Sequence, residues 1–538
     1  MMRDTAQCST HALSSLHTEA RIVAFMDIGT NSMRFSVVHI HPNHTYTILT
    51  QLKEMVRLGE GEFTEHRLLP EAMDRAILVA RQFRMLAASY GVDEMVAVAT
   101  AATREATNQR LFLRRLQQEA QVDVHVVSGL EEARLIYLGV ASGLHLGDKQ
   151  TLFIDIGGGS TEIIVGTQHE QHYLNSLKLG AIRLSLRFLA TISGPVSPDM
   201  YAQVLQHVRQ HAVHTIQELR PHRIDLAVGS SGTIENLADI AARMFWKRPW
   251  HRDDVLIYAH LTAVRAHLAA VPLSERRKVP GLNPARADII LGGAAILEGL
   301  MHALGITELR VSERGLRDGL LVDYLLKHQH TPGLETISVR QRSVLQLGRL
   351  CRFHEGHAQA TARLALALFD SAQAAQLHDL GPWERELLEY AAMLHHIGAF
   401  LTYSNYQVHT YYLIRNAELL GFDQTEIAIM AATALYHRKA LPRKKHPEFA
   451  ALSSHAQDIV RGLCVLLRLA ESLDRSQAGL VRYACLRRQD ITQALLQVYA
   501  TQDCQIEIWD VAKHVDAFRK VFGCRLEVHM VRENDLGC

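Results

Sequence analysis

Apolar and polar positions change rhythm along the chain, and each rhythm predicts a different architecture. Between residues 21 and 145, three-to-four-residue apolar spacing over Pro70–Ala88 and Arg110–Ala120 alternates with strand-like runs at Met95–Val98 and Val122–Val127. That mixture predicts an α/β layer fold. It continues over 146–327, with an amphipathic stretch at Pro198–Leu219 and a strand at Ile224–Val228. The apolar run Ile289–Ile306 carries Glu298, His302 and four glycines, which predicts a buried core helix rather than a membrane span. The polar segment KHQHTPGLET, with Pro332 and Gly333 as breakers, predicts a linker. From residue 338 the spacing is helical in Ser338–Asp370, Trp383–Phe400, Tyr406–Leu420, Gln424–Tyr436 and His455–Asp474. Beyond Gly479 alternation returns in LVRYACL, LLQVYA, CQIEIWD and CRLEVHMV, with a short helix at Val511–Phe522. The expected organisation is a leader at 1–20, lobes at 21–145 and 146–327, a helical domain at 338–476 and a small α+β domain at 479–538.

The 538-residue length agrees with this division, at ~100 to 200 residues per domain. Charge adds a constraint. Lys+Arg 57 against Asp+Glu 56 leaves a net charge of +1, so no global field marks a nucleic-acid coat and any polyanion must be held by a local patch. Hydrophobic residues at 48% and charged residues at 21% suffice to bury cores without covalent staples. Seven cysteines without a CxxC pair argue against a disulfide framework or thiolate zinc knuckle and for a reducing cytoplasm. The N-terminal stretch MMRDTAQCSTHALSSLHTEA is polar and lacks the apolar core of a secretory signal. Neither membrane nor nucleic acid is expected as a partner.

Comparing the chain with itself gives the first specific chemical signal. RIVAFMDIGTNSMRFSVV returns 128 positions later as TLFIDIGGGSTEIIVG, aligning Asp27 with Asp155, Gly29 with Gly157 and Ser32 with Ser160. Each copy is an apolar run, an Asp, a Gly-containing turn and a second apolar run, the pattern of a β-hairpin. Such a turn brings backbone N–H groups close to one point and adds hydroxyl donors, a phosphate cradle. Its candidate residues are Gly29, Thr30, Asn31 and Ser32 in the first copy and Gly157, Gly158, Gly159, Ser160 and Thr161 in the second. Asp27 and Asp155 are hard oxygen ligands suited to Mg²⁺ that shares phosphate oxygens. Gly229, Ser230, Ser231, Gly232 and Thr233 form a third turn between a strand and a helix start, where anions bind.

Together these motifs resemble the exopolyphosphatase and guanosine pentaphosphate phosphatase family. MDIGTNSMR, VATAATREATN, VVSGLEEARLIYLGV, FIDIGGGSTEIIVG, LGAIRL, GSSGTIENL and VSERGLRDGLL look like family segments in family order. The resemblance implies duplicated ribonuclease-H-like lobes, as in actin-type ATPases and sugar kinases, and Mg-assisted hydrolysis of a terminal phosphate. Inorganic polyphosphate is expected first and guanosine pentaphosphate second; the motifs do not separate them. It maps the water-activating base onto Glu132, with Glu131 the alternative, and places Arg104 on the transferring phosphoryl group. It also implies a homodimer through the C-terminal domains. An ATP-dependent kinase of the same fold and a non-catalytic nucleotide sensor are the competing classes.

Nine of the 31 histidines lie between His354 and His455. The spacing His357, His395-His396 and Asp474 resembles a metal-dependent HD phosphohydrolase domain, but His396 stands where the paired Asp would be. The expectation is an HD-like helical scaffold without hydrolase chemistry. Arg438, Lys439, Arg443, Lys444 and Lys445 form the densest basic cluster and the candidate polyphosphate channel. Arg276-Arg277-Lys278 and Arg114-Arg115 are secondary candidates.

Overall fold

The computed structural model describes residues 20–42, 45–328, 338–500 and 502–532. The expected leader, Ala20 apart, and the linker from 329 to 337 lie outside the described residues.

The first lobe contains β1 (Arg21–Ile28), β2 (Ser32–Ile40), β3 (Tyr46–Met55), β4 (Glu94–Ala99) and β5 (His125–Val126), in the order β3-β2-β1-β4-β5. The strand expected over Val122–Val127 shrinks to two residues. The second lobe contains β6 (Thr151–Ile156), β7 (Thr161–Gly166), β8 (Gln171–Leu177), β9 (Leu226–Ser230), β10 (Val255–Ile257) and β11 (Glu308–Ser312). Its order, β8-β7-β6-β9-β11, repeats the first, with β10 added antiparallel at the edge. The repeat extends to register: Asp27 pairs with Arg34 across β1/β2, and Asp155 with Glu162 across β6/β7.

Period-two alternation sorts β1 between two cores. Ala24, Met26 and Ile28 pack against the outer helices Pro70–Ser89 and Gln109–Ala120, while Val23 and Phe25 face a core shared with the second lobe. That shared core contains the helices Gly129–Ala141 and Leu316–His328. They cross at glycine. A Cβ on Gly319 would stand 1.8 Å from the Leu135 carbonyl oxygen, and one on Gly139 would stand 2.2 Å from that of Gly315, so no side chain fits at either position without separating the helices. This crossing positions the helix that carries Glu132. The lobes are also tied by Arg57, which reaches Asp288 at 2.7 Å and the Ala285 carbonyl at 2.7 Å.

Ile290–Leu304 is a helix buried nearly all round. No helix among the described residues is long and apolar enough to cross a membrane.

The helical region follows its apolar spacing with two differences. Ser338–Asp370 divides into Val339–Leu350 and Glu355–Ala374, broken beside Arg352 at φ 51°, and Trp383–Phe400 ends its α-helix at Leu394 before a short 3₁₀ turn. Its core is continuous with the C-terminal sheet of β12 (Val481–Arg488), β13 (Gln493–Ala500) and β14 (Arg525–Arg532). Here one expectation fails: CQIEIWD is not a strand but the start of the helix Gln505–Ala512. The buried face of that helix is Glu507, Asp510 and Val511, leaving Ile506 and Trp509 exposed. Glu507 accepts the Ser476 amide and Asp510 pairs with Lys513, so acidic residues at helical spacing face inward. The described cysteines, Cys351, Cys464, Cys485, Cys504 and Cys524, are buried and free.

Candidate active site

The two repeated turns meet tip to tip at the bottom of the interlobe cleft. Each closes in the same way, Gly29 N–H donating to Ser32 O at 3.1 Å and Gly157 N–H to Ser160 O at 3.0 Å. A Cβ on Gly158 would meet Thr30 at 3.0 Å and one on Gly159 would meet Phe63 at 2.7 Å. The glycine-rich second turn is thus required by contact with the first. Gly29, Thr30, Asn31, Ser32, Gly157, Gly158, Gly159 and Ser160 all line the cleft. Thr161 does not: its hydroxyl donates to Leu179 O at 2.6 Å in the sheet.

The GSSGT segment divides its labour. Gly229 lies in β9, where a Cβ would strike Leu309 at 2.7 Å, so its smallness serves packing. Ser230 donates to Asp155 Oδ2 at 2.5 Å and Ser231 to the Ile156 carbonyl at 2.5 Å. Ser231 sits at φ 80°, a conformation that costs a non-glycine residue about 1–3 kcal/mol and clusters at functional sites. Ser231, Gly232 and Thr233 line the cleft.

Four carboxylates gather here, each at most 7% exposed: Asp27, Glu132, Asp155 and Glu162. Burial pushes Asp27 up to about 6, opposed by the nearby Arg34 and Arg317 charges. Burial also raises Asp155, with the Ser230 hydrogen bond working against it. Glu132 and Glu162 are both held above the ordinary carboxylate range by desolvation, and each disfavours ionisation of the other. Such clustering of perturbed carboxylates in a cleft marks a functional site on physical grounds.

Geometry separates the two glutamates left open by the sequence. Glu132 lines the cleft and accepts Arg104 Nη1 at 2.8 Å. Glu131 is tied to Arg134 at 2.7 and 2.8 Å, which holds its carboxyl below the usual range. Arg104 also donates to Val127 O at 3.0 Å, so in this state it orients Glu132 and does not point freely at a phosphate.

Extending the strand pairing sideways exposes residues that motif reading missed. The row through the first lobe is Val98, Asp27, Arg34 and Lys53; the corresponding row in the second is Ser230, Asp155, Glu162 and Ser176. Directly opposed residues share a face of the sheet, so each row crosses its lobe toward one edge. Ser176 donates to Glu162 at 2.8 Å. Arg286, 7% exposed, enters the cleft from a 3₁₀ turn. Arg34 and Glu162 were visible in principle, as equivalent positions of the repeated hairpins. Arg286, in LNPARAD, has no motif.

The Asp27 and Asp155 carboxylates fit a hard divalent cation: Asp27 Oδ1 is buried without a partner, as are both polar atoms of Asn31. Two carboxylates with substrate oxygens and water are a normal Mg²⁺ environment.

The basic cluster lies elsewhere. Arg438 covers the Tyr406 ring at 4.8 Å, Lys439 contacts Asn405, and Arg443, Lys444 and Lys445 are exposed on the helical domain. None of the five lines the interlobe cleft. Arg276 is a buried structural residue bonded to the Leu268 and Val271 carbonyls, and Arg115 is engaged by Asp74 and Glu119. His357 and Asp474 do meet, at 2.7 Å, with the rings of His395 and His396 at 5.2 and 6.0 Å from that of His357. Burial lowers His395 well below the usual imidazole range and His396 to about 4. Among the described residues no group of three or more His, Cys, Asp or Glu side chains is arranged to hold a metal.

Residues 36–328 match the Ppx/GppA phosphatase family and residues 339–509 match domain III of Ppx/GppA phosphatases. Among solved structures, an exopolyphosphatase from Cytophaga hutchinsonii is 27% identical, with a TM-score of 0.54 over 57% of this chain and 99% of that one. An exopolyphosphatase-like protein is also 27% identical, with a TM-score of 0.53 over 57% of this chain and 98% of that one. With the family match spanning both lobes and their shared cleft, the chain belongs to the Ppx/GppA phosphatase family.

Proposed function

We propose that the protein is an exopolyphosphatase, releasing terminal orthophosphate from inorganic polyphosphate by in-line attack of water. The observation that carries this reading is Glu132: a buried carboxylate, oriented by Arg104, in the cleft walled by the two glycine turns. The turns bind phosphate oxygens through backbone N–H groups and the Thr30, Ser32 and Ser160 hydroxyls. Glu132 accepts a proton from water at Oε1, leaving Oε2 on Arg104. Its elevated pKa makes it a stronger base once ionised. Asp27 and Asp155 would hold Mg²⁺, which when bound supplies positive charge to the phosphate oxygens. The 5′ tail of guanosine pentaphosphate offers a terminal anhydride of the same kind and is the alternative substrate. The helical domain we read as an HD-like scaffold whose metal chemistry is lost with His396.

Glu132→Gln tests the reading. Phosphate release from polyphosphate is expected to fall by about 10² to 10⁴, with binding retained. A loss of less than about tenfold would remove Glu132 from the base role.

A further inference from the structure

The outward end of the first-lobe row holds an excess of positive charge that the chemistry at Glu132 does not use. Lys53 stands opposite Arg34 on the neighbouring strand, two strand spacings from Asp27, or roughly 10 Å along the sheet. Arg286 and Arg317 act electrostatically on Lys53 from two other elements, the 3₁₀ turn and the helix Leu316–His328. Glu235, on the helix Ser231–Phe245, is the one carboxylate among the charges acting on Lys53. Four cations thus share one nearby anion. Arg34, Lys53 and Arg286 have no side-chain hydrogen bond or ion pair printed by geometry among the described residues, although Arg286 is almost wholly buried. A buried guanidinium without a partner is costly unless a ligand completes it. The charge also has a direction: it begins beside Asp27 and runs away from Glu132, toward the β3 edge.

We propose that Lys53, with Arg34, Arg286 and Arg317, forms a distal phosphoryl-binding position that holds the polyphosphate tail and selects chains over orthophosphate. This rests on the hydrolase reading above and adds the course of the chain: the terminal phosphate lies at the turns, and the tail leaves across lobe I. The position differs from the basic cluster on the helical domain, which shares none of these residues. A phosphate chain at Lys53 supplies the anions this group lacks. Burial, then the charges of Arg34 and Arg286, lower Lys53 to about 8, with Arg317 acting the same way and Glu235 opposing. Lys53 is exposed over its length, so solvent screens part of this effect, but its direction means that a bound polyanion draws a proton onto Lys53.

The test uses the full chain carrying Glu132→Gln, so that ligands bind without turnover, and calorimetry with orthophosphate and tripolyphosphate. Adding Lys53→Met should weaken tripolyphosphate about tenfold, the loss of one charge-assisted contact, and leave orthophosphate within about twofold. Lys53→Arg should restore affinity. Proton uptake on tripolyphosphate binding near pH 8, read from the dependence of heat on buffer ionisation, should be present with Lys53 and absent with Arg. Equal weakening of both ligands, no weakening of either, or unchanged proton uptake in the Arg variant would overturn the proposal. If the Glu132→Gln parent binds orthophosphate but not tripolyphosphate, the distal position is wrong while the hydrolytic centre stands. If it binds neither, the hydrolase reading falls and takes this position with it.

Discussion

Lobes I and II share strand order, hairpin register and turn closure, yet they carry opposite charge at equivalent positions. Arg34 and Glu162 occupy the same place in the repeat, as do Lys53 and Ser176. Duplication of a hairpin therefore fixes where a side chain points and leaves its chemistry free. The result is a polarised cleft: an acidic wall in lobe II beside Glu132 and a cationic row in lobe I leading away from it. A symmetric cleft would hold a phosphate chain in either direction. A polarised one holds its end at the carboxylates and its body at the cations.

The strongest way to break that contrast is to give lobe I the charge of lobe II. Arg34→Glu should raise KM for polyphosphate by about a hundredfold or more, because it removes one charge-assisted contact and adds repulsion, while kcat changes less. Michaelis kinetics with long-chain substrate would check it; a fall confined to kcat would mean that Arg34 acts on the reacting phosphate instead.

The pH profile sharpens the acidic side. Glu132 must be ionised to accept a proton and is pushed up to about 7, by desolvation first and by Asp27 and Asp155 after it. The acid limb of kcat/KM should therefore fall about tenfold per pH unit below neutrality rather than below the ordinary carboxylate value. A profile flat from pH 5 to 8 would show that Glu132 is already ionised there.

The smallest effect concerns stability. Glu162 has a raised pKa in the folded state, so between its unfolded and folded values the native protein binds more protons and loses stability as pH rises. Glu162→Gln removes that cost. Its unfolding midpoint at pH 8 should exceed the native protein's by a few degrees, for a gain on the order of 1 kcal/mol, with the difference shrinking at pH 5. A lower midpoint at both values would show that the carboxylate is a net stabiliser in its bond with Ser176.

Much of this was legible in the amino-acid sequence because it is local or repeated. The amphipathic helices Pro198–Leu219 and Gln424–Tyr436 fall on the residues their spacing marks, and the two Asp-Gly hairpins meet as their repetition suggests. What was not legible depends on residues brought together by tertiary structure. CQIEIWD alternates like a strand, but Glu507 and Asp510 find polar partners inside and turn it into a helix. Ser230 looked like a phosphate donor, and its hydroxyl is instead committed to Asp155. Arg286 reaches the cleft from a segment without regular pattern. The charge inversion between Arg34 and Glu162 could be read from the aligned repeats, but its meaning required the strand register that places each beside an aspartate.

The most direct test of the account is phosphate release by the native protein from long-chain inorganic polyphosphate and from guanosine pentaphosphate, side by side, with and without Mg²⁺. The account predicts Mg²⁺-dependent release of orthophosphate from polyphosphate, with the faster kcat/KM on the longer chain. Absence of release from both substrates with Mg²⁺ present would contradict it.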